Sequence, residues 1–195
     1  MTDAMTDATN GVETVTRPGR SSGVNHLVLN VRDLEASHRF YTEILGWEHH
    51  GTLDPKRRVM RFYRATPDRH HDLALVQVDS PDQEPAVSRW SMAGSRVGLN
   101  HVAITFPNRE EFVAQLEHLR AKGVEFLVRG DHGMTHSVYI ADPDGNGIEV
   151  LYEVPAEAWE ADVNGALNYF APLPLDGAAS LQDSIDYKHF DPPLG

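Results

Sequence analysis

The chain has 195 residues, 41% of them hydrophobic and 24% charged, with a formal charge of -12 and no cysteine. That length buries a real core as one ordinary domain or two small fused modules. The acidic balance argues against nucleic acid or an anionic membrane surface as a partner, and the missing cysteine excludes disulfides, thiolate metal sites and a cysteine nucleophile.

Residues 1–22 echo Met-Thr-Asp-Ala and lack the basic flank and apolar core of a signal peptide, so they read as a polar, disordered leader. No run reaches the length of a membrane span, and the expected location is cytoplasmic. His26 to Val31 reads as a strand. Asp33 then caps a helix that runs to Leu45 and stops at Gly46. Trp47–Leu53, Val59–Ala65 and His71–Val78 are three further strands, separated by Asp54-Pro55 and Pro67-Asp68 turns.

After a linker at 80–98, the order repeats. Gly23-Val24-Asn25-His26 returns 75 residues later as Gly98-Leu99-Asn100-His101. His101–Phe106 is a strand, and Asn108 caps a helix with Glu111 in the capping-box position. Phe112, Leu116 and Leu119 form the apolar stripe of that helix, and Gly123 ends it. Val124–Val128, Thr135–Ala141 and Gly147–Tyr152 follow as strands, the last two joined by an Asp142-Pro143-Asp144-Gly145 turn. The expected architecture is α+β: two tandem βαβββ modules, 23–79 and 99–154. A tail at 155–195 begins as a helix with Trp159, Val163 and Leu167 on one face, then turns irregular after Ala171. It would pack on the body or on a neighbouring subunit, in keeping with a homo-oligomer.

Strand alternation puts His26 with Val28 and Asn30, and His101 with Ala103 and Thr105, on the less apolar face of each opening strand. Glu149, flanked by Ile148 and Val150, needs a partner if buried. Two histidines and a carboxylate suit a divalent first-row metal, as in non-haem iron(II) oxygenases, and equally zinc, nickel or manganese. Aligning the halves places Leu73 or Ala74 opposite Glu149. Neither is a ligand, so the first half withholds a fourth. His71, read as beginning the strand of Leu73 and sharing its face, is a candidate general base. His70 would point away into solvent. His132, His136 and Tyr139 fall on or before one strand, with Tyr139 a candidate donor to a metal-bound oxygen. The pair His49-His50 reads as exposed, and His38, His118 and His189 as surface residues.

Over about residues 23 to 154 the chain resembles the vicinal oxygen chelate superfamily. That group includes glyoxalase I, the fosfomycin and bleomycin resistance proteins and the type I extradiol dioxygenases. It is most similar to small one-domain members of the last group. The resemblance rests on a histidine opening each module, His71-Asp72 at the start of the fourth strand, and the stretch HGMTHSVYIADPDGNGIEV, with Tyr139 ten residues before Glu149. It implies a metal-bearing cup with His26, His101 and Glu149 as ligands of Fe(II), Mn(II) being possible. It further implies His71 as base, and His132 and Tyr139 as groups that stabilise charge on oxygen, with His136 partly able to replace His132. The implied reaction is meta-cleavage of a catechol by O2 to a hydroxymuconic semialdehyde type of product. The rivals on the same fold are a glyoxalase-like isomerase or lyase, which uses four protein ligands, and a non-catalytic drug-binding module.

Overall fold

The computed structural model describes residues 21, 23–53, 59–80, 90–92 and 97–173. The expected leader, all but residue 21, lies outside these residues. So do residues 81–89 and 93–96 of the expected linker, His189, and the tail from 174 onward.

Strand β1 (Leu27–Val31) alternates as the sequence suggests: Leu27, Leu29 and Val31 turn toward the core, while Val28 and Asn30 are exposed. Helix α1 (Leu34–Arg39) begins where Asp33 Oδ1 accepts the backbone N–H groups of Glu35 and Ala36 at 2.9 and 3.0 Å. The expected continuous helix to Leu45 is only partly α-helical, because Phe40–Ile44 widens into a π turn. There the Thr42 hydroxyl donates to the His38 carbonyl at 2.7 Å, and the Leu45 N–H reaches back to Phe40 O. Gly46 then reverses the chain with φ of +75°. Strands β2 (Glu48–Thr52), β3 (Met60–Arg64) and β4 (Leu73–Gln77) complete the first half. His71 therefore precedes its strand instead of opening it.

The second half has β5 (His101–Phe106), α2 (Arg109–Ala121), β6 (Val128–Asp131), β7 (Thr135–Ala141) and β8 (Gly147–Glu153). Asn108 caps α2 through the Glu111 N–H, and Phe112, Leu116 and Leu119 are buried along it. The strand expected at 124–128 starts four residues later. The Val124 N–H bonds the helix carbonyl of Leu119 and cannot join a ladder.

Two mixed sheets result, ordered β1-β4-β3-β2 and β5-β8-β7-β6-β9, where β9 is Ala171–Pro172. In both, the first and last strands of the βαβββ unit pair in parallel. One core serves both halves, with Val31, Tyr63 and Leu75 from the first and Phe112, Ile140 and Val150 from the second. The halves are also tied by polar contacts. Tyr41 donates to Asp142 Oδ2 at 3.1 Å, the Arg32 N–H meets Asp144, and Gln115 donates to Ile44 O. His118 bonds Glu43 O, and His38 is half-buried against the Tyr63 hydroxyl, so both are tied into the body and neither is a free surface residue.

The tail differs from expectation. It forms two short 3-10 turns and a five-residue helix, α3 (Val163–Leu167). Val163 and Leu167 face solvent, while Ala158 and Ala166 are the buried residues, because the chain bends at Trp159 and its single helical turn cannot carry the expected stripe. Among the described residues no helix is long and apolar enough to cross a membrane.

Candidate functional site

Register decides which side chains can meet. In the parallel pairs, Val28 lies opposite Ala74 and Ala103 lies opposite Glu149. Ala74 is thus the first-half counterpart of Glu149, and Leu73 turns into the core at 3% exposure. The expectation that His71 shares the face of Leu73 is therefore incorrect. His71 sits in the loop ahead of β4, outside the alternation. From there its ring lies 4.5 Å from that of His26 and 5.1 Å from that of Phe62, which pairs with Ala74. His70 is exposed, as expected, but it does not point away from His71: its Nδ1 meets His71 Nδ1 at 2.7 Å.

In the second half, His101 and Glu149 come together, with His101 Nε2 3.0 Å from Glu149 Oε2. Glu149 is buried, and its Oε1 accepts the Tyr139 hydroxyl at 2.8 Å. The cross-strand pairing of Tyr139 with Glu149 makes this contact. His132 Nε2 lies 3.2 Å from the same hydroxyl. Burial, then the hydrogen bond to the Glu149 carboxylate, pushes the Tyr139 phenol well above its usual range, so it remains a donor at neutral pH. Burial also holds His132 below the usual imidazole value. Partial burial, followed by the His70 and His26 imidazoles, does the same for His71. Both rings are accordingly neutral bases near pH 7.

His136 is on the opposite face of β7. It is 1% exposed, bonded to the Tyr152 hydroxyl and 3.5 Å from Asp131, so it does not join His132. It lies three positions before Tyr139 on β7, an odd offset, so the pleat turns the two side chains to opposite faces. His49 and His50 are exposed, as expected.

Sequence reasoning missed four contributors. Asn25 Oδ1 accepts from His26 Nδ1 at 2.8 Å, and Asn100 Oδ1 accepts from His101 Nδ1 at 2.7 Å. An amide oxygen only accepts, so each Nδ1 carries the proton and each Nε2 is free as a ligand. The signal was present, since asparagine is repeated beside the histidine in both copies. Trp90 stacks on Tyr139 with ring centres 5.0 Å apart, and Phe170 in the tail lies 5.2 Å from His132. Gly130 leaves room for it, because a Cβ there would fall 2.4 Å from the Phe170 ring. Nothing local in the sequence marks either aromatic residue.

These donors fit a metal in kind. An unprotonated His101 Nε2 facing the Glu149 carboxylate at 3.0 Å requires a cation shared between them, a proton or a metal ion. His26 is prepared by the same asparagine contact but stands with His71. Among the described residues no three His, Asp or Glu side chains gather closely enough to hold one ion.

Comparison with known proteins identifies relatives of the chain and of its fold. The catechol-2,3-dioxygenase of Bacillus subtilis is 30% identical over 142 residues, covering 73% of this chain and 45% of its own length. The biphenyl-2,3-diol 1,2-dioxygenase 3 of Rhodococcus globerulus is 30% identical over 167 residues, covering 84% of this chain and 68% of its own. The chain thus spans about half of one relative and two thirds of the other. A lactoylglutathione lyase of Pseudomonas putida is 27% identical, covering 67% of this chain and 85% of its own. The crystal structure of a glyoxalase/dioxygenase from Nostoc punctiforme shares the fold with TM-score 0.55 and 24% identity, over 73% of this chain and 98% of that one. The family model for Glyoxalase/Bleomycin resistance protein/Dioxygenase superfamily matches residues 23–150, a span that holds both opening histidines and Glu149. With both sheets, their shared register and this match in agreement, the chain belongs to the Glyoxalase/Bleomycin resistance protein/Dioxygenase superfamily.

Proposed function

We propose that the protein is an Fe(II)-dependent extradiol dioxygenase that opens a catechol with O2 to a hydroxymuconic semialdehyde type of product. The single observation that carries this reading is Ala74, which stands where the second half has Glu149. A four-ligand isomerase needs a carboxylate or its equivalent there. The sequence relatives named as catechol and biphenyl-diol dioxygenases support the same choice, while the lyase relative keeps the isomerase as the rival.

His26, His101 and Glu149 would hold the metal, with residues 23–79 and 99–154 acting as the two modules that supply them. The bound metal, iron or else manganese, would supply acidification of the coordinated hydroxyl and a meeting point for O2. The chain's own groups do the rest. Neutral His71, beside His26, accepts the proton of one catechol hydroxyl. Tyr139 keeps its proton and donates to oxygen, with Glu149 as its present acceptor. His132, neutral, donates its Nε2 proton to the Tyr139 hydroxyl oxygen, which leaves the phenol proton on the side of Glu149. His136, bonded in the core to Tyr152, has no part.

The test is aerobic turnover of anaerobically purified, Fe(II)-loaded protein. Catechol or 2,3-dihydroxybiphenyl should turn yellow with matching oxygen uptake. A fully iron-loaded protein that colours no member of a catechol panel refutes the reading. Isomerisation of a hemithioacetal by the same sample would favour the rival.

A further inference from the structure

We propose that Trp90, supplied by the segment between the two halves, is a positioning residue that holds the Tyr139 ring so that its hydroxyl stays on Glu149. Its catalytic consequence rests on the dioxygenase reading; its geometry does not.

The indole is 5% exposed and lies flat on Tyr139, with an angle of 9° between the rings. Its edge-on contact to His101 has centroids 6.2 Å apart at 84°. Its Nε1–H donates to the Asn100 carbonyl at 2.7 Å. Asn100 is the residue whose side chain fixes His101 Nδ1, so one indole braces both a candidate ligand and the phenol beside it.

Space for the indole is built into β8. Gly147, opposite His101 in register, would place a Cβ 2.1 Å from Trp90 Nε1, so this strand is bare where the indole packs. With one face against a flat, hydrogen-bonded ring, Tyr139 loses the freedom to swing about χ1 and χ2. Without that face its hydroxyl contacts alone would have to hold the ring.

The experiment uses full-length protein carrying 3-fluorotyrosine, with the Tyr139 fluorine resonance assigned through Tyr139→Phe. Trp90→Met keeps apolar volume but removes the flat face, and Trp90→Phe retains a flat ring. In wild type and W90F the Tyr139 line should be single and narrow. In W90M it should move and broaden or split, and catechol kcat should fall about tenfold with KM within about threefold, W90F restoring most of it. Should W90M fail to fold, Trp90→Leu is read against the same expectations. An unmoved, narrow Tyr139 line in the variant overturns the proposal, and so does a moved line with wild-type kcat. If wild-type protein turns over no catechol, the dioxygenase reading fails while the fluorine spectrum still decides the role of Trp90.

Discussion

Gly147→Ala should destabilise the protein, and nearly all of the loss should pass through Trp90. The new methyl carbon would lie 2.1, 2.3 and 2.7 Å from three atoms of the indole, so the ring must retreat by more than an ångström. That movement breaks the Trp90 bond to Asn100 and opens the Tyr139 stack. Overpacking costs about 1–3 kcal/mol, the hydrogen bond about 1 kcal/mol and the aromatic pair about 0.5–1.5 kcal/mol. These contributions overlap because one movement causes all three, so the expected total is about 2–4 kcal/mol. Urea unfolding followed by far-UV circular dichroism measures it. In a Trp90→Ala background the three atoms nearest the new methyl are gone, and Gly147→Ala should cost less by about 1 kcal/mol or more. Equal costs in the two backgrounds would refute the packing argument.

Asn25→Ala and Asn100→Ala should each weaken Mn(II) or Fe(II) binding by about tenfold to a hundredfold in calorimetric titration, because each frees an imidazole to rotate or change tautomer. Unchanged affinity would deny the asparagines this part. His71→Ala should keep the metal and lose about a hundredfold or more in turnover; wild-type turnover removes His71 from the reaction. Burial depresses the His132 pKa in the folded state, so its contribution to stability is present above the usual imidazole value of 6.5 and is lost as pH falls through the folded-state value. His71 and His38 are depressed as well, so the quantity to follow is the difference between wild type and His132→Gln. The two urea midpoints should converge as metal-free protein is acidified, and parallel curves would contradict the sign. Tyr41→Phe removes the buried donor to Asp142, whose carboxyl burial already holds above its usual range. It should cost about 1–2 kcal/mol in the same unfolding assay, and a neutral result would show that this tie between the halves adds nothing.

Much of the site was legible because its parts repeat. The Gly-x-Asn-His wording marks both opening histidines, and the second strand begins at His101 as expected. Asp33, Asn108, Gly46 and Gly123 punctuate the helices by chemistry that acts within a few residues. Glu149 and Tyr139 were each singled out by residue type and place on a strand, and the ladder between β7 and β8 makes them direct partners. The same rule was misapplied to His71, which lies outside its strand, and His136 was credited to a site from which the pleat excludes it.

The sequence by itself determined the halves, the caps, the alternating faces and the donors of the proposed centre, since each follows from contacts along a few residues of chain. Only the tertiary structure decided that Ala74 and not Leu73 matches Glu149, because that depends on the register of strands some forty-six residues apart, Leu27 against Leu73. It alone brought His71 over His26, Trp90 onto Tyr139 and Phe170 toward His132. Those placements are set by how separate segments pack around one another, and no local pattern of residue types encodes which aromatic ring will lie against which.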